Sequence, residues 1–402
     1  MIAVIDLPRQ IDPGLAADIE KEAAFVSPHL RALRVTGGGA AVELEVADRA
    51  RDAEVQGKVE RFLEAMLKRV HRFESKIFLR HERRDDGPLA TGVNAELQQR
   101  GWLFAYGHGH VALAGPALAL AELIDATAAA LYAQHFRAEP RSFPAFVDAD
   151  TLHRCGYFDS HPNAASFVGH MVEDFDAIEA FRQANSCAVG ALMPPAEHVH
   201  LPGLCLNPAA CFPCYPTLAG RRIGDGGAAF SWKGRVFRYE SRNLGGLDRL
   251  WEFNVRELVF VGSEAHVADC RRRVLPVIGE LAGIFDLECR IETASDPFFA
   301  TVSAARTFWQ RAQEVKNEII LTIEPGPDGR RRELACGSIN LHGKFFGDRF
   351  AIALDGHAAD GAGVAATACV GLGIERWVLA AFSQHGFEPV RWPAGIRREI
   401  FG

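Results

Sequence analysis

"VFRYESRNLGGLDRLWEFNVRELVFVG" spans Val236–Gly262, and its reading decides the fold. Both ends are rich in Val, Phe and Leu and read as strands around the glycine turn "RNLGGLD". Alternation places Arg238 and Glu240 on one side of the first strand, and Arg249 and Glu257 follow on the returning one. Two arginines and two carboxylates on one hairpin face are costly to bury unpaired. On spacing alone they form either a salt-bridged, solvated face or a functional site. A second stretch, "ATACVGLGIERWVLAAF" (366–382), runs from a strand through a glycine-rich turn into a helix. Arg376 sits in its first turn, where a permanently charged planar fork can meet a phosphate.

Outward from these two stretches, "ACGSINL" and "RFAIALDG" alternate like antiparallel strands, and "IERWVLAAFSQHG" reads as a closing helix that ends near Gly386. "LHRCGYFDSHP" reads as a loop and "ARTFWQRAQEVKNEI" as a charged helix. Strands cluster late without regular helix alternation, so the expected class is α+β with an antiparallel sheet rather than a doubly wound parallel one. Residues 1–84 read as a small α/β unit of their own, with "KIFLRHER" as its last strand. A polar, turn-rich linker is expected over 85–94, and one larger unit over 95–402. "GGG" and "GDGG" lack the strand and helix that a dinucleotide-binding glycine motif requires.

Composition narrows the function. The net charge of −7 gives a polyanion no general attraction, so a nucleic-acid partner would need a local basic patch. The N-terminus has no basic stretch followed by a long apolar run, so no signal peptide is expected. "ALAGPALALAELIDATAAALYA" is broken by Pro116 and carries Glu122 and Asp125, so it reads as a packed helix rather than a membrane span. Nine cysteines, an odd number scattered through an acidic chain, fit a reduced cytoplasm, with thiols buried in the core or binding metal.

"AACFPCYP" (209–216) holds Cys211 and Cys214 three apart. A redox pair needs a thioredoxin-like βαβ context, and none is present. Half of a metal site and two buried structural thiols both remain open on these residues alone. "HVH" at 198–200 reads as polar surface, and Cys155, Cys187, Cys205, Cys270 and Cys289 read as ordinary core residues.

Taken together, "FRYE…RLWEF" resembles the second motif of class II aminoacyl-tRNA synthetases, and "GLGIERW" resembles the third. The helix 116–136, running into an extended segment with Pro144, resembles the first, dimer-forming motif. The resemblance covers about 95–402 and implies a class II synthetase-like antiparallel sheet flanked by helices. It also implies residue roles. Arg238 would hold the α-phosphate of ATP, Glu240 would contact the adenine amino group and Phe253 would stack on the ring. Arg249 and Leu250 would lie at the nucleotide site, and Arg376 would grip the γ-phosphate. Glu333, with position 336, would hold Mg²⁺. The family places an oxygen ligand at that second position, and this chain has Cys336, whose thiol suits a hard cation poorly.

Cys211, Glu257 and Cys369 are similar to the zinc site of atypical, methanogen-type seryl-tRNA synthetases and of their bacterial relatives, the amino acid:[carrier protein] ligases. Three protein ligands leave one zinc position open for a neutral substrate amine. Cys211 matches the family spacing ahead of Arg238 best, and Cys214 is the second choice. The resemblance therefore implies an adenylate-forming ligase. Such an enzyme activates a small amino acid, glycine or alanine, with ATP and transfers it to the phosphopantetheine thiol of an acyl carrier protein. Segments similar to that family's are Gly156–Pro162 and Asp296–Phe299. The small, charge-balanced 1–84 unit and the acidic chain disfavour tRNA as acceptor. The rival readings are an atypical seryl-tRNA synthetase and a non-catalytic, synthetase-like binding protein. Carrier proteins are usually acidic, so a basic dock is expected, and Arg306, Arg311 and Lys316 on the 304–318 segment offer one. A homodimer in the cytoplasm, not bound to membrane, completes the expectation.

Overall fold

The computed structural model describes residues 2–11, 13–67, 76–84, 87–241, 244–294, 316–326, 329–355 and 363–402. Its centre is an eight-stranded sheet. The strand order is Ile77–His81, Cys289–Thr293, Lys316–Ile323, Arg332–Gly343, Ala366–Gly373, Glu252–Gly262, Ala228–Phe237 and Glu139–Pro140. Every pairing is antiparallel except the last, where Glu139–Pro140 runs parallel to its neighbour. The inner strand Ala366–Gly373 has its first five residues fully buried, as a strand covered on both faces requires.

One face carries the helices Gly115–Phe136, Glu264–Ile284 and Ile374–His385, which build the main core with Leu258, Phe260, Val370 and Leu372. The helix Gly115–Phe136 is long and apolar enough to cross a membrane by length and composition, but Leu120, Ile124, Ala128 and Tyr132 are buried in this core. Pro116 lies in its first turn, where no amide partner is needed, and the helix stops where Arg137 turns left-handed at φ 53°. The sheet's other face carries a second core of Phe230, Trp232, Val259, Tyr215, Phe346 and Phe350.

In the N-terminal unit, strands Ile2–Asp6, Leu30–Thr36 and Ala41–Val46 form a separate sheet under the helices Pro13–Glu22 and Asp52–Leu67. Val55, Val59, Leu63 and Met66 bury one helical stripe against Leu33, Val42 and Leu44. The strand Ile77–His81 does not join this sheet. It pairs with Cys289–Thr293 at the edge of the large one, and Leu79 packs on the helix Glu264–Ile284.

Three local expectations are corrected. "LHRCGYFDSHP" forms two short helices, Ala149–Arg154 and Tyr157–Ser160, because Leu152 and Tyr157 bury against Val147 and Cys205 while Gly156 turns the chain at φ 69°. "RFAIALDG" keeps only Ala353–Leu354 as strand. The segment before it is a helix, Phe345–Phe350, which places Phe346 and Phe350 on one buried side. The expected helix over "ARTFWQRAQEVKNEI" is not kept at its end, because Lys316–Ile323 is a strand rich in β-branched residues. Arg306 and Arg311 lie outside the described residues, as does the Asp296–Phe299 segment.

Candidate active site

Glu257 and Cys369 stand on neighbouring strands of the large sheet. Glu257 pairs with Gly371 and Val259 with Cys369, so both side chains leave the same face two residues apart. Cys211 arrives from the loop 207–213, which crosses that face. The loop is pinned where the Phe237 amide donates to the Asn207 carbonyl at 2.9 Å, and the Ala209 amide to Asn207 Oδ1 at 3.3 Å. Arg238 Nε donates to the Pro208 carbonyl at 2.8 Å. The ligand atoms of Cys211, Glu257 and Cys369 all lie within 4.8 Å of one another. The three residues are 6%, 3% and 4% exposed. Cys214 is one helical turn on, buried and outside this group. The described cysteines are all free thiols.

Three acids so close and so buried perturb one another. Burial holds the Glu257 carboxyl well above the usual carboxylate range, and Cys211 pushes it further. The hydrogen bond between the thiols lowers Cys211 and raises Cys369 well above the ordinary thiol value. Arg238 is the one cation that eases both Glu257 and Cys211. A donor set of two thiols and a carboxylate that lacks its own countercharge either keeps its protons or takes a cation.

A second layer surrounds Cys369. Asn340 Nδ2 donates to its Sγ at 3.6 Å, and His342 Nε2 lies 3.6 Å from the same atom. His342 Nδ1 is 3.0 Å from Thr367 Oγ1 and 3.5 Å from the Tyr215 hydroxyl. Burial pushes the His342 imidazole down to about 3, so it is neutral. These residues were not singled out from the sequence. The signal was there: "SINLH" puts a polar side chain at every second position, on the face shared with Cys369.

The arginine half lies beside this cluster. Arg238 and Glu240 fall just beyond the strand that ends at Phe237, rather than on it, and Arg249 precedes the strand that begins at Glu252. The turn leaves the sheet because the Tyr239 amide donates to Ala164 and Ser241 takes a left-handed φ of 53°. Arg238 lies over the Phe253 ring at 5.7 Å, and Arg249 pairs with Glu240 at 2.6 Å. Arg376 donates to the carbonyls of Asp248 at 2.9 Å and Ala335 at 2.8 Å. Its helix start is fixed by Glu375, which accepts from the Asn254 amide at 2.9 Å and from Asn254 Nδ2 at 2.7 Å. Glu375 and Asn254 are positioning residues that sequence reasoning missed. Leu250 is buried in the main core. Glu333 is partly exposed and paired with Arg290. Cys336 sits where the strand register slips, with its thiol buried in the main core 3.4 Å from the Leu334 carbonyl.

Over 291 residues the chain is 33% identical to amino acid–[acyl-carrier-protein] ligase 1 of Bradyrhizobium diazoefficiens, matching 71% of this chain and 83% of that protein. The chain belongs to the amino acid–[acyl-carrier-protein] ligase family. It is also 26% identical over 325 residues to the type-2 serine–tRNA ligase of Methanopyrus kandleri, covering 77% of this chain and 60% of that protein. The SerRS of M. kandleri, solved in complex with A. aeolicus tRNASec, superposes with a TM-score of 0.69 at 22% identity, over 99% of this chain and 77% of that one. The α+β fold is thus that of the class II synthetases. No family model matches the chain.

The ligase-family chain keeps glycine beside its acidic cluster. A Cβ on Gly371 would lie 3.0 Å from Glu257 Oε2 and 3.3 Å from Val255 Cγ1. Gly371→Ala is expected to leave the fold intact, since its backbone is extended, but to displace the Glu257 carboxylate. Zinc affinity, measured by competition with a chromogenic chelator, should fall about tenfold or more. Unchanged affinity would show that the added methyl leaves the Glu257 carboxylate in place.

Proposed function

We propose that the protein is an adenylate-forming ligase. It activates a small amino acid, glycine or alanine, with ATP and passes it to the phosphopantetheine thiol of an acyl carrier protein. The observation that carries this reading is the buried Cys211–Glu257–Cys369 set lying next to Arg238. The donors suit Zn²⁺, which prefers thiolate and carboxylate in a four-coordinate site. A zinc ion held there supplies a Lewis-acidic position for a neutral α-amine. The residues of the chain do the rest. Arg238, fixed through its Nε to Pro208, keeps the far end of its guanidinium for the α-phosphate and the substrate carboxylate. Phe253 beneath Arg238 and Glu240 beside Arg249 suit an adenine ring and its amino group. Arg376 is held by two carbonyls and can neutralise a terminal phosphate. Glu333 offers Mg²⁺ a hard oxygen. The Cys336 thiol is soft and buried in the core, so it does not fit that ion.

The amino acid carboxylate attacks the α-phosphorus and pyrophosphate leaves. The carrier thiol then attacks the acyl carbon and AMP leaves. A cytoplasmic homodimer, formed through the helix 115–136, is part of this reading. The superposition of nearly the whole chain on a seryl-tRNA synthetase favours a second reading, in which tRNA is the acceptor. Mass spectrometry of holo-carrier, apo-carrier and tRNA, each incubated with ATP and glycine or alanine, separates the two. A mass gain on the holo-carrier alone is expected. Charged tRNA with no gain on the holo-carrier would overturn the proposal.

A further inference from the structure

His342 stands where the strand Arg332–Gly343 slips against its neighbour. Leu341 pairs with Ala368 but Gly343 with Thr367, so His342 is an extra residue, as in a bulge. Gly343 takes the left-handed φ of 56° that suits such a kink. A bulge re-aims a side chain, and this one carries the imidazole over the strand Ala366–Gly373. There Nε2 lies 3.6 Å from Cys369 Sγ, and Nδ1 lies 3.0 Å from Thr367 Oγ1. The ring meets Phe346 edge to face at 4.8 Å. Tyr215, stacked on Phe346 at 3.9 Å, sets its hydroxyl 3.5 Å from Nδ1. Asn340, two residues back, directs its amide hydrogens to Ser338 Oγ at 3.0 Å and to Cys369 Sγ at 3.6 Å. Two side-chain nitrogens from one strand thus converge on one sulfur.

The state of Cys369 decides which nitrogen carries the hydrogen. A neutral imidazole has one N–H and one bare nitrogen. While the thiol keeps its proton, two arrangements close the chain. Either S–H donates to Nε2 and Nδ1–H to Thr367, or Nε2–H donates to sulfur and Thr367 to Nδ1. A metal-bound thiolate has lost its proton and only accepts. Nε2 must then be the donor, and Nδ1 accepts from the Thr367 or Tyr215 hydroxyl, both of which can donate. A phenylalanine would fill the same aromatic corner with no ring nitrogen to satisfy, so packing alone does not call for histidine. Hydrogen bonds of this kind orient a metal ligand and tune the charge that it passes to the ion.

We infer that His342 is a positioning residue of the metal site, whose Nε2–H, fixed from behind by Thr367, holds the Cys369 thiolate. This rests on the zinc site proposed above. The test uses the full-length protein loaded with Zn²⁺, or with Co²⁺, whose thiolate charge-transfer band reports on the sulfur. In His342→Phe the zinc affinity, measured by chelator competition, should fall about ten- to a hundredfold. The cobalt band should move to longer wavelength, because a sulfur without its hydrogen bond gives up charge more readily. His342→Gln, whose amide N–H can reach the place of Nε2–H, should restore both. A purely structural histidine would instead leave the band in place and lower the melting temperature of both variants alike, and that result overturns the inference. Nitrogen NMR of the histidine-labelled, zinc-loaded wild-type protein guards against misfolding of His342→Phe. The resonances missing from His342→Gln should belong to a protonated Nε2 and a bare Nδ1. A protonated Nδ1 overturns the inference and leaves the zinc site standing. A wild-type protein that binds neither metal overturns both.

Discussion

Cys369→Ala is expected to strip the protein of zinc and to abolish adenylate formation. The wild-type chain should carry about one zinc. The three donors lie buried within 4.8 Å of one another. Removing a thiolate leaves two ligands, too few to hold a four-coordinate ion with an open position. Cys211→Ala should behave alike. Cys214→Ala should keep its metal, because that thiol is packed in the adjacent core and burial keeps it protonated. Metal analysis of the three variants, beside their melting curves, decides the matter. Full zinc in Cys369→Ala would refute the site. Metal lost in Cys214→Ala and kept in Cys211→Ala would move the ligand by three residues.

The second large effect concerns the arginines. Arg238→Ala and Arg376→Ala should each reduce ATP–pyrophosphate exchange about a hundredfold or more, with zinc retained. The two differ in side effects. Arg238 satisfies one carbonyl, Pro208, so its loss should lower the melting temperature less than that of Arg376. Arg376 satisfies both Asp248 and Ala335 from a buried position, and leaving them unpaired costs about 1–3 kcal/mol. Arg376→Lys should recover part of that stability but little exchange, because an ammonium cannot reproduce the planar fork. Near-normal exchange in both alanine variants would mean that the arginines serve structure alone.

The residues that bear chemistry were legible where the motif was local. Arg376 follows a strand and a glycine turn within ten residues, and Glu257 and Cys369 lie on strands whose alternation shows in the sequence. Cys211 was harder to place, because a loop reaches the cluster by crossing the sheet, held by backbone bonds between Asn207 and both Ala145 and Phe237 that local sequence does not show. Asn340, His342 and Glu375 escaped notice for a related reason. Each acts through a side chain far away in sequence, as Glu375 does through Asn254. Two short elements differ from the sequence reading for different reasons. Two phenylalanines facing a core make a helix of Phe345–Phe350, and β-branched residues carry Lys316–Ile323 into the sheet.

The strand Ile77–His81 also bears on how the chain assembles itself. Its partner strand is some two hundred residues later, with Leu79 opposite Ile291. Nearby, Arg83 reaches the Gln384 carbonyl, the Ala90 amide donates to Ser383 at 2.8 Å, and Arg391 donates to Pro88 at 3.1 Å. The first sheet can close as soon as residue 67 is made, because its contacts are short in sequence. The large sheet waits for nearly the whole chain and carries the entropy of closing a very long loop. Folding should therefore proceed in two kinetic steps. A fast one would order the N-terminal unit, and a slow one would stitch residues 77–90 to strands and a helix that emerge last.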